Sequence, residues 1–515
     1  MSIATLTRPQ REEALALQDE LARRKLMPFI RSTKPDYKVG WFNRLLAREL
    51  DKFLDDVIAE RSPRLLIMAP PRHGKSEVVS RRFPAYALGR FPDLSIIATS
   101  YASDLASSMN RDVQRIIDSD EYGRIFPDTK LWGSNIRTVA DGSYLRNSDI
   151  FEIVGHKGVY KSAGVGAGVT GRGGRILMID DPIKDAAEAH SETVRNGIWE
   201  WYTSTLYTRC EPGGGILVIM TRWHEDDLIG KLLENMKQGG EPWQVIKVPA
   251  IAEEDEYDGD KMLRQEGEPL HAARFNRAAL DRIKSGTSES AGVGSKVWAS
   301  LYQQRPSAAE GNTFLRENWR FLKPPTPLSM MDGKTRREYF HQIGIREVIQ
   351  AWDTALGGKK QNDFTACTTL GIARSRYYVI DVWKGQLKFP DALKQVELMY
   401  DTWKPNRVII EGGGSASGKA TVQTLERNTR IPLTEHPTVT DKLFRADLVS
   451  PHHESGLVTI FEGAEWCSGF VDQCANFPNI KHDDDVDSWM LGMEYATDQS
   501  SASLNITPEV LARFA

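Results

Sequence analysis

Apolar positions along the first sixty residues recur at helical spacing. Leu45, Leu46, Leu50, Phe53, Leu54 and Val57 fall on one stripe, so residues 1–60 read as charged, amphipathic helices. From Leu65 the pattern changes to short apolar runs parted by helical stretches: RLLIMAP, LSIIATS, IFEIVG, RILMIDD and GGILVIMT. Strands that alternate with helices predict an α/β block with a mostly parallel sheet covered on both faces, ending near residue 250. Residues 251–268 are acidic and turn-rich, which predicts exposed loop, and residues 270–310 return to helix. Prolines cluster over 310–335, and a new block opens at REVIQAWDTA. It holds three strand-like runs (VIQAWDT, FTACTTLGI, RYYVIDVW), a helix, a further strand in RVIIEGGG, and more helices. The resulting division is a helical lead-in at 1–60, an α/β core at 61–250, a helical or linker region at 251–335, a second α/β block at 336–498 and a tail at 499–515. No repeat of fixed period interrupts it.

Composition narrows the class. At 515 residues, and roughly 100–200 residues per domain, the chain is long enough for two or three domains. Hydrophobic residues are 40% and charged residues 26%, which argues for a folded chain over a disordered one. The formal net charge of −4 lacks the basic excess of a tight static nucleic-acid binder, so phosphate contacts must come from local patches. Four scattered cysteines (Cys210, Cys367, Cys467, Cys474) show no zinc or redox spacing and read as reduced thiols. The polar start resembles no signal peptide, and no apolar run approaches the roughly 18 residues of a membrane span. A soluble, intracellular protein is expected, with no membrane partner.

Two groups of residues carry candidate chemistry. In LLIMAPPRHGKSEVVSRRF, Gly74, Lys75 and Ser76 stand between a predicted strand and a predicted helix, the setting of a phosphate loop. Backbone N–H groups at the helix start would face phosphates, Lys75 adds charge, and the Ser76 hydroxyl suits Mg²⁺. Ala69 holds the usual first-glycine position, and Pro70, Pro71, Arg72 and His73 fill the loop. About a hundred residues on, RILMIDDP ends an apolar strand in Asp180 and Asp181: Asp180 to hold Mg²⁺, Asp181 to polarise the attacking water. Asp181 is one methylene shorter than the Glu common there, so Glu188 stays a candidate base. A third strand ends in Thr221 and Arg222, where a polar residue can sense the γ-phosphate. Arg172, between Gly171 and Gly173, is open to more than one reading: a charge donated to a neighbouring subunit's ATP, or an arginine that simply lies on a flexible hairpin or touches DNA phosphate.

The second group is acidic. Asp353 and Glu411 sit on apolar strands, where a carboxylate is costly unless it meets metal or a cation. On the last predicted helix Asp484 and Asp487 share a face, Asp483 points elsewhere and Asp485 faces solvent. Carboxylates from three elements could hold two Mg²⁺ about 4 Å apart for phosphodiester cleavage.

The segments APPRHGKS, SYASDLA, IDDPIKDAAEA, TRWHEDDL, YQQRP, WDTA, IIEGGGSASGK and HDDDVDS follow one another over residues 60–495 in the order expected of tailed-phage terminase large subunits, and the chain resembles that family. The resemblance implies an N-terminal ASCE P-loop ATPase domain, with Lys75, Ser76, Asp180, Asp181 and Arg72 in the nucleotide site. It implies an RNase H-like nuclease domain, with Asp353, Glu411 and an Asp among 483, 484 and 487 as metal ligands, Asp484 and Asp487 favoured. ATP and Mg²⁺ are the implied cofactors, with Mn²⁺ as a substitute in the nuclease site. The implied partners are double-stranded viral DNA, a small terminase subunit, the portal of the procapsid and further copies in a ring, commonly of five, in the host cytoplasm.

Overall fold

The computed structural model describes residues 7–132, 136–137, 144–169, 171, 173–287, 290–306, 313–353, 365–387, 389–412, 429–437, 442–478, 480 and 483–502. The chain divides into two compact units. The first holds Met1–Leu280 and Val297–Ala308; the second holds Asp281–Lys296 and Ala309–Ala515.

In the first unit, helices Arg8–Arg24, Leu26–Thr33 and Trp41–Ile58 lead in. Leu46, Leu50, Phe53, Leu54 and Val57 of the third are buried as the spacing predicts, with Phe42 beside them, while Leu45 of the same stripe is only partly buried. The strands are β1 (Arg64–Met68), β2 (Ser95–Ser100), β3 (Ile150–Glu152), β4 (Val159–Gly164), β5 (Gly174–Asp180), β6 (Cys210–Met220) and β7 (Gln244–Lys247). They form one sheet in the order β3-β4-β2-β5-β6-β1-β7. Only the β3–β4 pairing is antiparallel. Side chains alternate between two cores: Leu65, Ile67, Ile176, Met178, Leu217 and Ile219 face one, while Leu66, Met68, Leu177, Ile179, Val218 and Met220 face the other. A sheet buried on both faces explains why these strands read as unbroken apolar runs.

Residues 251–268 differ from the loop expected of them. They carry a hairpin, β8 (Glu256–Asp258) with β9 (Lys261–Arg264), turned at Gly259 with φ +60°. Buried Arg264 clamps it, 2.7 Å from Glu256 and 2.8 Å from the Pro249 carbonyl, with its guanidinium over the Trp41 ring. A charged segment thus folds through ion pairs, Arg48 with Asp258 and Arg305 with Glu253 besides the buried Arg264, and not through apolar alternation.

The second unit is built on β10 (Arg320–Leu322), β11 (Glu347–Asp353), β12 (Thr365–Ile372), β13 (Tyr377–Gly385), β14 (Arg407–Gly412), β15 (Leu433–Pro437) and β16 (Val458–Phe461). The order is β10-β16-β13-β12-β11-β14-β15, with β11, β12 and β13 as an antiparallel meander and the other pairings parallel. The last helix, Asp484–Ala502, lies close on the meander: a Cβ on Gly492 would come within 2.5 Å of Leu370 Cδ1 and 3.1 Å of Ala351 Cβ. Buried Thr368 and Ser488 hydroxyls, 2.7 Å apart, fix the same contact. Segment 281–296 belongs here because Ser295 bonds Glu454 at 2.8 and 2.9 Å, and Lys296 lies 2.8 Å from Asp447. No helix among the described residues is long and apolar enough to cross a membrane.

Candidate active sites

In the first unit the strand order brings the phosphate loop and the acids together. Because β6 lies between β1 and β5, its end meets both the loop that follows β1 and the acids that end β5. The carboxyl ends of parallel strands are where such sheets bind ligands. The loop turns through Arg72 at φ +60° and Gly74 at φ +90°, and a Cβ on Gly74 would stand 2.8 Å from the Tyr37 hydroxyl. A helix then starts at Lys75 and runs through a π-helical stretch, Glu77–Arg82.

Lys75, 5% exposed, places Nζ 2.8 Å from both Asp181 carboxylate oxygens and donates to the Thr221 hydroxyl. The Thr221 N–H donates to Asp181 Oδ1 at 2.7 Å. Asp181 itself sits at φ +44°, a conformation that costs a non-glycine residue of order 1–3 kcal/mol and that these bonds hold in place. Buried Asp180 accepts from the Ser76 hydroxyl at 3.4 Å and from Ser80 at 2.5 Å. Burial, then the charge of Asp181, raises the Asp180 carboxyl above its usual range. Buried charge of this kind favours a cation at Asp180 and Ser76.

His73 is fully buried and stacks on Phe275 with centroids 4.9 Å apart. Burial lowers its pKa to about 4, so the ring is neutral, and Nδ1 carries the proton because it lies 2.8 Å from the Pro71 carbonyl. The histidine therefore shapes the loop from behind and adds no charge to it. Arg222 is also buried and is engaged by Asp227 at 2.8 and 2.9 Å, away from Lys75's contacts. Glu188 accepts from the Lys184 N–H at 2.9 Å, at the start of its own short helix. Arg172 lies outside the described residues. Ser80 was not among the expected residues; its signal in the sequence is the four-residue spacing from Ser76 at the head of one helix.

In the second unit Asp353 ends β11 and Glu411 lies near the end of β14, its parallel neighbour, where Trp352 pairs with Ile410. The last helix brings its first turn to the same region. Burial, then the charges of Asp487, Glu411 and Asp484, hold the Asp353 carboxyl well above its usual range. Glu411, Asp484 and Asp487 are thus close enough to oppose the ionisation of Asp353.

The cations beside them come from elsewhere. Lys384 of β13 lies 3.2 Å from Asp484 and 3.0 Å from Asp485. From helix Lys442–Glu454, Lys442 pairs with Asp487 and lies 3.0 Å from Asp483, and Arg445 lies 3.1 Å from Glu411 and 3.4 Å from Glu494. Asp485 is 4% exposed, contrary to the solvent-facing position expected of it, because Lys384 reaches it from the sheet. Asp483, expected to point away, shares Lys442 with Asp487 just before the helix begins. Lys384, Lys442, Arg445 and Glu494 had no signal in the linear sequence beyond being charged.

Among the described residues no three His, Cys, Asp or Glu side chains converge closely enough to hold one ion as they stand. The donor set nevertheless suits a hard divalent cation. It consists of carboxylates only, and the buried Asp487 Oδ1 accepts no hydrogen bond among the described residues, while Asp484 Oδ2 faces the Lys384 ammonium at 3.2 Å.

Comparison with known proteins follows this division. A family profile described as the terminase large subunit, T4likevirus-type, N-terminal, matches residues 66–288, and the terminase RNaseH-like domain matches residues 350–496. Among solved structures, a large terminase from a thermophilic bacteriophage aligns with a TM-score of 0.47 at 10% identity, over 84% of this chain and 94% of that one. The large terminase of bacteriophage HK97 aligns with a TM-score of 0.33 at 10% identity, over 92% and 99%. The large terminase nuclease of thermophilic phage G20c with bound magnesium aligns with a TM-score of 0.26 at 14% identity, over 36% and 98%. No curated protein matches the chain. The two profiles fall in succession over more than two thirds of the sequence, an ATPase-type domain followed by an RNase H-like one, and the chain belongs to the family of phage terminase large subunits.

Proposed function

We propose that this chain is an ATP-driven motor that moves double-stranded viral DNA into a procapsid and a metal-dependent endonuclease that cuts concatemeric DNA at the start and end of packaging. The observation that carries the proposal is one chain with two separate polar clusters: a phosphate loop wired to a strand-end acid, and a set of opposed carboxylates on an RNase H-like sheet.

In the first site the N–H groups of Gly74, Lys75 and Ser76 cradle the phosphates and Lys75 spreads their charge. Ser76 and Asp180 would hold Mg²⁺, which would supply charge to the phosphate oxygens. Asp181 orients the attacking water, which requires Lys75 to exchange the Asp181 carboxylate for the nucleotide. Thr221, bonded to both residues, then registers which partner Lys75 has. Arg72 and His73 set the path of the loop. Arg172 serves a neighbouring copy's nucleotide or a DNA phosphate. In the second site Asp353, Glu411, Asp484 and Asp487 would hold Mg²⁺, or Mn²⁺ in its place, which would supply Lewis acidity for phosphodiester cleavage. The near-neutral charge balance fits transient grip by several copies, in a ring docked on a portal and supplied with DNA by a small subunit in the host cytoplasm.

The test measures phosphate release and plasmid cleavage in parallel on wild type, Lys75→Ala and Asp353→Ala. Each substitution should remove one activity and spare the other. A folded single mutant that loses both would contradict the assignment of two sites.

A further inference from the structure

The three cations that face the acids of the second unit are not equivalent. Arg445 is buried, with 4% of its side chain exposed, and it is shared between Glu411 and Glu494. Lys384 is 19% exposed and shared between Asp484 and Asp485. Lys442 is 53% exposed, yet its ammonium pairs with Asp487, whose side chain is 4% exposed. It reaches inward from solvent on a flexible four-carbon stem, and the other Asp487 oxygen, Oδ1, accepts no hydrogen bond among the described residues.

We infer that Lys442 is a place-holding cation, which keeps the buried Asp487 carboxylate balanced and which a divalent metal must displace before Asp487 serves as its ligand. The inference rests on the metal-site reading given above. A buried carboxylate stripped of its partner is strongly destabilising, so the fold needs a counter-charge there before metal arrives. An ammonium and a divalent ion on one carboxylate repel each other at short range, and of the two the half-exposed ammonium has water to move into. Lysine suits an exchangeable role: its compact charge hydrates well and its stem rotates freely. Although Lys442 also meets Asp483, it is half-exposed, whereas Arg445 is buried and stays. Lys442 leaves toward water that already covers half of its side chain.

Two measurements on the full-length chain test this. Calorimetric titration with Mn²⁺ compares wild type, Lys442→Met, Lys442→Arg and Asp353→Asn. Labelling with an amine-reactive ester, read by mass spectrometry with and without Mn²⁺, follows Lys442 against the exposed Lys334. Removal of a competing, half-exposed ion pair should tighten Mn²⁺ binding by about three- to fivefold in Lys442→Met, while Lys442→Arg stays nearer to wild type. In wild type, Mn²⁺ should raise labelling at Lys442 and leave Lys334 unchanged. Unchanged labelling at Lys442, or equal or weaker binding by Lys442→Met, overturns the inference, and the labelling decides alone if that variant does not fold. Wild type that binds no Mn²⁺, or Asp353→Asn that binds it as wild type does, overturns the metal-site reading and the inference with it.

Discussion

In the first unit, the groups that balance the acids come from the helix that follows the phosphate loop and from the end of β6: Lys75, Ser76, Ser80 and Thr221 all bond Asp180 or Asp181. In the second unit the acids come from two strands and a helix, and the cations from another strand and another helix. The first arrangement is set by strand order, which brings together segments far apart in the sequence. The second takes Asp353 and Glu411 from neighbouring strands, but its other acids and two of its cations come from packed helices. Its geometry thus also depends on how closely the last helix lies on the sheet. A substitution far from any acid can therefore damage the second site, whereas the first is broken mainly from within.

The largest effects should come from the centres themselves. Lys75→Ala should lower ATP hydrolysis by at least about 100-fold, the scale of a lost charge-stabilising donor, with Mn²⁺-dependent plasmid cutting within twofold of wild type. Asp353→Asn should lower cutting by a comparable factor and leave phosphate release intact. Gly492→Val sharpens the contrast. The added side chain meets Leu370 and Ala351 and should cost about 1–3 kcal/mol in the unfolding of the second unit, with cutting reduced and ATP hydrolysis kept. Calorimetry alongside both assays checks it. Ser80→Ala removes one donor from Asp180 and should slow ATP hydrolysis by roughly tenfold, in line with a bond to a charged group.

The smallest effect is a pH dependence. His453 is fully buried among Phe314, Trp319 and Trp489, and burial lowers its pKa to about 4. The unfolded chain takes up the proton first, near 6.5, so the stability contributed by the neutral ring is complete above that value. It is lost progressively as pH falls from about 6.5 toward 4, by roughly 1 kcal/mol at pH 5.5. Thermal unfolding of wild type against His453→Leu across this range should show the difference in slope.

Much of this was legible in the linear order of residues. β1, β2, β5 and β6 are apolar because both faces of the sheet are covered, and the phosphate loop and its acids are contiguous with those runs. β4 escaped notice because Lys161 and Ser162 interrupt it, β15 because LTEHP is polar, and β16 because four residues are too few to show a period. The carboxylates at 353 and 411 stood out by their apolar settings. Lys384, Lys442 and Arg445 did not, because a lone cation on an amphipathic helix or a sheet end looks solvated until tertiary packing brings an acid to it. Asp485 misled for the same reason: the helix phase that exposes it in isolation turns it toward Lys384 in the fold.

The chain crosses from one unit to the other three times, at 280/281, 296/297 and 308/309. Dissection of the gene at any single point therefore strands foreign material. A fragment that stops at 308 carries residues 281–296 without the Glu454 and Asp447 that anchor them, and a fragment that starts at 309 lacks the segment those two acids were holding. Separate expression of the halves calls for excision and relinking, with 281–296 spliced ahead of 309 and its gap in the other half closed by a short bridge.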